Sequence, residues 1–165
     1  MRNRLSSVLV VATFVLLSIP SGPAGVGLAW GKAKGPPEVA WKDLSFQQKK
    51  AYMKEAVTPT MKPIFQAFDA KKFKQVTCVT CHGADGADRK FKMPSNDIHP
   101  LPNTPEAFQA KMKSEPTWPK WTEFMAQKVE PAMGKLLDLP VFDPKKPVKG
   151  AFGCANCHKL EAATP

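Results

Sequence analysis

Two short segments of the chain share a spacing of cysteine and histidine that permits covalent attachment of a cofactor. Residues 78–82 and 154–158 each read Cys-x-x-Cys-His, and together they contain all four cysteines and two of the three histidines. Two thiols three positions apart lie about one helical turn apart, so both can add to the vinyl groups on one edge of a porphyrin. The imidazole that follows can then bind the iron from below the ring. The pattern is the attachment signature of c-type haem.

The two segments therefore predict two covalently bound haem c groups. The thioether attachment residues are expected to be Cys78, Cys81, Cys154 and Cys157. The proximal iron ligands are expected to be His82 and His158.

Other uses of paired cysteines are a structural disulfide, a thioredoxin-like redox pair and half of a zinc site. A zinc ribbon places its two pairs about 15–20 residues apart, whereas 72 residues separate Cys81 from Cys154. A thioredoxin-like pair requires a βαβ context, which this proline-rich, helix-patterned chain does not offer. Two haem motifs, no further cysteine and an export signal favour haem over these alternatives.

The N-terminal segment has the pattern of a secretory signal peptide. Two arginines within residues 1–4 precede the uncharged residues 5–19, and Ala29 or Ala24 fits a small-residue cleavage site. We expect residues 1–29 to be removed on export to the periplasm, where bacteria attach c-type haem. The alternative is an uncleaved membrane anchor, although an uncharged run of fifteen residues is short for a membrane span.

Composition indicates a small basic protein. Removing Arg2 and Arg4 from the 24 basic residues leaves 22 against 14 acidic residues, a formal charge of +8. The lysines are dispersed and few aromatic residues lie between them, so we expect no nucleic-acid partner. The charge predicts redox protein partners with acidic docking surfaces, bound more weakly as salt rises. The membrane would be a partner only if the signal segment stayed uncleaved.

The 17 prolines and the helical spacing of apolar residues predict a mostly α fold. Short helices and long Pro-rich loops are expected to pack around the two haems. Ser45 and Gln48 form a capping-box pattern that begins a helix reaching about residue 57. Pro59 is expected to break or restart this helix, with Thr58 as the new N-cap. Thr104 begins a further helix over residues 105–113.

A repeat relates the two halves. Residues 124–133 align with residues 52–61 at a constant offset of 72, with Met, Val, Pro and Met identical at four positions. The haem motifs follow at an offset of 76. We interpret this as a tandem duplication of one haem-binding unit within one compact domain. The expected divisions are a signal peptide (1–29), a flexible lead-in (30–44), a first unit (45–103) and a second unit (104–165).

A haem that only transfers electrons needs a second axial ligand on its iron. Seven residues follow His158 and none is Met or His, so we expect the ligand of the second haem upstream. The repeat supplies an equivalent methionine in each half, Met61 and Met133, which we assign as distal ligands. The alternatives are the repeated pair Met53 and Met125, together with Met93 and His99.

A methionine on a helix ahead of Cys-x-x-Cys-His, present twice, resembles the tetrahaem cytochrome subunit of purple-bacterial photosynthetic reaction centres. The resemblance covers residues 45–82 and 121–158. It implies haem-binding segments in which a helix is followed by a turn and the attachment motif. The chain would correspond to half of that subunit, and it lacks the lipid-anchor cysteine often found there.

These observations predict a periplasmic di-haem electron-transfer protein whose iron cycles between ferric and ferrous states. Met/His ligation would raise the potential relative to bis-histidine ligation. The alternative is a haem enzyme or gas-binding protein with one open coordination site, in which His99 would act as the distal acid or base. We expect no enzymatic activity, because neither a spare cysteine nor a second domain is available to build a substrate pocket.

Overall fold

The computed structural model describes residues 37–161. The expected signal peptide, the first part of the lead-in and residues 162–165 lie outside the described residues. Within the described residues, 51% are helical and no strand is formed, so the mostly α prediction is confirmed. Also within this range, no helix has the length and apolar character needed to cross a bilayer.

In residues 37–161, six α-helices alternate with shorter helical segments and with loops. The α-helices are α1 (Phe46–Tyr52), α2 (Thr58–Phe68), α3 (Cys78–His82), α4 (Pro105–Ser114), α5 (Trp118–Phe124) and α6 (Glu130–Leu137). Two π-helical segments, Met53–Val57 and Met125–Val129, connect α1 to α2 and α5 to α6. Two 3-10 turns span Trp41–Asp43 and Cys154–Asn156.

Two helix starts follow the predicted capping patterns. Ser45 accepts a hydrogen bond from the Gln48 backbone N–H at 3.3 Å, and the Gln48 side chain accepts one from the Ser45 N–H at 2.9 Å. Thr104 accepts from the Ala107 N–H at 3.1 Å, and the helix that follows ends at Ser114. Both predicted N-caps are confirmed.

The expected break at Pro59 is wrong, and so is Thr58 as an N-cap. Val57 and Thr58 keep helical backbone angles, so α1, the π-helical segment and α2 run on without interruption. A proline in a helix removes one N–H and crowds the carbonyl four residues earlier. The π-helical turn lies at that point, and the Thr58 N–H donates to the carbonyl of Met53, five residues earlier. This wider turn accommodates the proline without ending the helix.

The two long helical runs share one apolar core. Its buried members are Val57, Met61, Phe65, Phe73, Val76, Phe124 and Leu136. Phe124 stacks on Phe68 with ring centroids 4.0 Å apart and meets Phe65 edge-on at 5.4 Å. The π-helical segment Met53–Val57 contacts α6, and the π-helical segment Met125–Val129 contacts α2. Residues on both runs are therefore placed around a common interior.

Candidate functional site

One cavity of about 330 Å³ adjoins both cysteine motifs. Most of its lining is apolar, and its volume lies within the range of pockets for small molecules and cofactors. From the first motif it is lined by Cys78, Cys81 and His82, and from the second by Asn156 and Cys157. Four methionines also line it, namely Met53, Met61, Met93 and Met133.

Both assigned distal methionines therefore reach the space beside the motifs. Met61 is 3% exposed and belongs to the apolar core, whereas Met133 is half-buried. Two of the alternatives, Met53 and Met93, also line the cavity. Among the described lining residues, Met125 and His99 do not occur.

The first motif forms the short helix α3. The Thr77 N–H donates to the Thr80 hydroxyl at 3.0 Å, and the Thr80 N–H donates back to the Thr77 carbonyl at 3.0 Å. The helix ends at Gly83, whose φ of +81° is a conformation that glycine adopts without strain. The Asp97 carboxylate accepts from the Ala84 N–H at 2.6 Å and holds the chain after the motif.

The second motif begins with the 3-10 turn Cys154–Asn156 and closes in the same way. The Gly153 N–H donates to the Asn156 side-chain oxygen at 2.8 Å, and the Asn156 N–H donates to the Gly153 carbonyl at 3.0 Å. Thr80 and Asn156 occupy the same position in Cys-x-x-Cys-His. A hydrogen-bonding side chain at this position therefore fixes the turn of each motif.

The second cysteine of each motif has a raised pKa. Burial, and then the neighbouring Cys78, raise the pKa of Cys81 to about 11. Burial, and then Cys81, Cys154 and Glu130, raise the pKa of Cys157 to about 12. In the chain without haem both thiols therefore remain protonated at neutral pH. Cys81 contributes to the raised pKa of Cys157, and both residues line the cavity, so the second cysteine of each motif lies near the other.

The four cysteines form no disulfide. Within residues 37–161, no group of three or more His, Cys, Asp or Glu side chains is arranged to hold a metal ion.

His82 is half-buried, and its Nδ1 is buried with no hydrogen-bond partner among the described residues. Its ring meets Phe91 edge-on with ring centroids 5.4 Å apart. Burial lowers the pKa of His82; the backbone of Phe91 opposes this shift and Arg89 adds to it. The imidazole is therefore neutral at pH 7, which is the form that binds iron.

His158 is oriented by the backbone of another loop. Its Nδ1 lies 2.8 Å from the carbonyl oxygen of His99. A carbonyl oxygen only accepts hydrogen bonds, so Nδ1 carries the proton and the lone pair of the neutral ring is on Nε2. Metal-bound histidines commonly use this arrangement to set the tautomer and the ring orientation.

The loop between the motifs is hydrogen-bonded to both of them. Arg89 donates to Asp85 at 2.8 Å and to the carbonyl of His82 at 3.1 Å, and Asn96 also donates to Asp85 at 2.8 Å. The N–H of the fully buried Ser95 donates to the carbonyl of Cys157 at 3.2 Å. The loop thereby joins the first motif to the second.

The sequence reasoning missed three contributors to this site. The carbonyl of His99 orients His158, but a backbone role leaves no trace in residue type. Arg89 pairs with an acid four residues earlier, a spacing that could have indicated the ion pair. Glu130 lies at the repeat position of Thr58, and its carboxylate faces the second motif.

No protein-family model, curated protein or solved structure matches this chain. The resemblance to the tetrahaem subunit therefore depends on the motif pattern alone and stays a prediction.

The residues present fit the chemistry of covalent haem attachment. Within each motif the two thiols lie about one turn apart, and an imidazole follows them. Methionine thioethers line the adjoining apolar cavity. The unpartnered Nδ1 of His82 and the oriented Nδ1 of His158 belong to the two histidines that the motif assigns to iron.

Proposed function

We propose that this chain is an exported di-haem c-type cytochrome that carries electrons between redox proteins. The observation that carries the proposal is that residues of both Cys-x-x-Cys-His motifs and both repeat-related methionines border the same apolar cavity, although Cys154 and His158 are not among its described lining residues. When bound, haem iron supplies a one-electron couple between its ferric and ferrous states.

The chain's own residues would hold and enclose the haems. Cys78 and Cys81 would attach the first haem and Cys154 and Cys157 the second, and His82 and His158 would bind the irons. Met61 and Met133 would supply the thioether ligands. Apolar side chains such as Phe65 and Phe152 keep water from this region, and exclusion of water tunes the potential of a bound redox group.

The internal duplication is supported by structural features in addition to the identical residues. Thr58 and Glu130 each donate a backbone hydrogen bond to the carbonyl of a methionine five residues earlier, Met53 and Met125. These π-helical turns lie 72 residues apart, as do the assigned methionines. A π-helical turn is rare and frequently marks a functional site. Its presence at equivalent positions favours two copies of one unit.

An acidic redox partner is supported by the exposed segment 141–150 beside the second motif. This segment carries Lys145, Lys146 and Lys149 against one acid, Asp143, and it exposes Phe142 and Val148. Positive charge around exposed apolar groups suits a transient, salt-sensitive interface with an acidic surface. Docking there would bring the partner next to Cys154.

The carrier is favoured over a haem enzyme by the position of His99. Among the described cavity residues His99 is absent, and its own Nδ1 is 2.8 Å from the carbonyl of Pro100. The imidazole of His99 is therefore engaged with its own loop, and only its backbone carbonyl contacts His158.

Intact mass tests the proposal directly. The chain is expressed with its N-terminal segment in a bacterium that attaches haem c in the periplasm. The exported protein is expected to lack residues 1–29 and to carry two haem additions. The double variants C78A/C81A and C154A/C157A should each carry one. A wild-type protein without covalent haem would overturn the proposal.

A further inference from the structure

Glu130 places a carboxylate against the second cysteine motif. It is the first residue of α6, one turn before Met133, and it is half-buried. Its Oε1 is 3.3 Å from the position that a Cβ would occupy on Gly153, the residue that precedes Cys154. Among the described residues no cation forms an ion pair with it.

The effect of this charge reaches both thiols of the motif. The carboxylate contributes to the raised pKa values of Cys154 and Cys157. Burial raises the pKa of Glu130 itself, as expected for a carboxylate with little solvent and no cation nearby.

Among the described residues, the first motif has no carboxylate beside it that is both half-buried and without a cation. Thr58 occupies the repeat position of Glu130, lines the cavity and is neutral. The nearest acid along the chain, Asp85, is paired with Arg89 and hydrogen-bonded by Asn96. Asp97 lies even closer to its motif, with Oδ2 2.6 Å from the position that a Cβ would occupy on Gly83, but Asp97 is exposed to solvent, which screens its charge.

We propose that the Glu130 carboxylate lowers the reduction potential of the haem attached at Cys154 and Cys157, so that electrons pass from the second haem to the first. This inference rests on the proposed function. A nearby negative charge stabilises the ferric form over the ferrous form, and it acts more strongly where solvent is excluded. In that transfer the second iron is oxidised and the first is reduced by one electron.

The test is a potentiometric titration of the purified holoprotein, followed by haem absorbance, with three variants. E130Q removes the charge at nearly constant shape, and E130T copies the first repeat. T58E introduces a carboxylate at the first haem. E106Q is the matched control, because Glu106 is an exposed acid in the first turn of α4.

Two one-electron transitions are expected in the wild type. E130Q and E130T should raise the lower potential by about 59 mV, which is a tenfold change in the one-electron equilibrium. T58E should lower the upper potential instead, and E106Q should move neither. Two haems whose potentials respond to E130Q no more than to E106Q would overturn this inference alone. A wild type without covalent haem would overturn it together with the proposed function.

Discussion

The two cysteine motifs share a sequence pattern and a reciprocal turn closure, but their surroundings differ. The first lies within a network of paired charges, in which Arg89 bridges Asp85 and the carbonyl of His82. The second lies against the half-buried carboxylate of Glu130, and its histidine is oriented by the carbonyl of His99. The same pentapeptide pattern is therefore combined with unequal electrostatics, because residues outside the pentapeptides set the local charge.

The largest expected effect comes from removing one distal methionine at a time. M61L and M133L should each abolish half of the ferric sulfur-to-iron charge-transfer band and allow one ferrous haem to bind carbon monoxide. Leucine nearly conserves volume, so stability should fall by less than about 1.5 kcal/mol. Optical spectroscopy of each variant checks this.

Two other cavity methionines provide controls for that experiment. M53L and M93L should keep the full band and bind no carbon monoxide. If M93L lost half of the band and M61L kept all of it, the distal ligand of the first haem would be Met93 and not Met61.

The next largest effect is on the free energy of unfolding, and it concerns Phe124 and Tyr52, which occupy equivalent positions in the repeat. Phe124 is 6% exposed in the core and stacks on Phe68, so F124A should cost about 3–5 kcal/mol of unfolding free energy. Y52F removes the hydroxyl that donates to the Leu136 carbonyl at 2.6 Å and should cost about 1 kcal/mol. Urea unfolding of both variants measures the difference, and equal losses would contradict the unequal packing of the two repeats.

A smaller effect on stability is expected from the acids beside the two motifs, and it has opposite signs for Asp85 and Glu130. The Arg89 and Asn96 hydrogen bonds lower the pKa of Asp85, so its stabilisation is present above its ordinary pKa and is lost as pH falls through the lowered value. Burial raises the pKa of Glu130 above its ordinary 4.5, so its charge destabilises the fold at neutral pH and ceases to do so below that value.

At pH 7, D85N should therefore lower the thermal midpoint and E130Q should raise it. Both differences should vanish in acid, where each carboxyl is protonated in the folded and unfolded states. D88N, an exposed acid in the same loop as Asp85, is the control. If D85N and E130Q shifted the thermal midpoint in the same direction, this result would contradict the contrast between the motifs.

The smallest effect is expected at His99. The contact with His158 uses the backbone carbonyl, so H99A should keep both haems and leave their spectra unchanged. A change in the ligation of one iron would show that the side chain takes part.

Sequence reasoning succeeded where side-chain type determines the structure locally. The hydroxyls of Ser45 and Thr104 cap their helices as predicted, because N-capping depends on a few adjacent residues. It failed at Pro59, where packing between the two helical runs and a π-helical turn outweigh the local preference of proline to end a helix.

Local sequence patterns also could not predict the contacts of the candidate site that join residues far apart in the chain. Glu130 and Gly153 are far apart in the chain, and so are His99 and His158; each contact depends on the tertiary fold. The repeat could have indicated one of them, since an acid at the position of Thr58 is one of the differences between the aligned segments 52–61 and 124–133.

The most direct test of the account is the optical spectrum of the exported holoprotein, first ferric, then ferrous with carbon monoxide added. Two closed Met/His haems predict a ferric far-red sulfur-to-iron charge-transfer band and no change with carbon monoxide. Rapid binding of carbon monoxide by either wild-type haem would contradict the electron carrier and support a protein with an open coordination site.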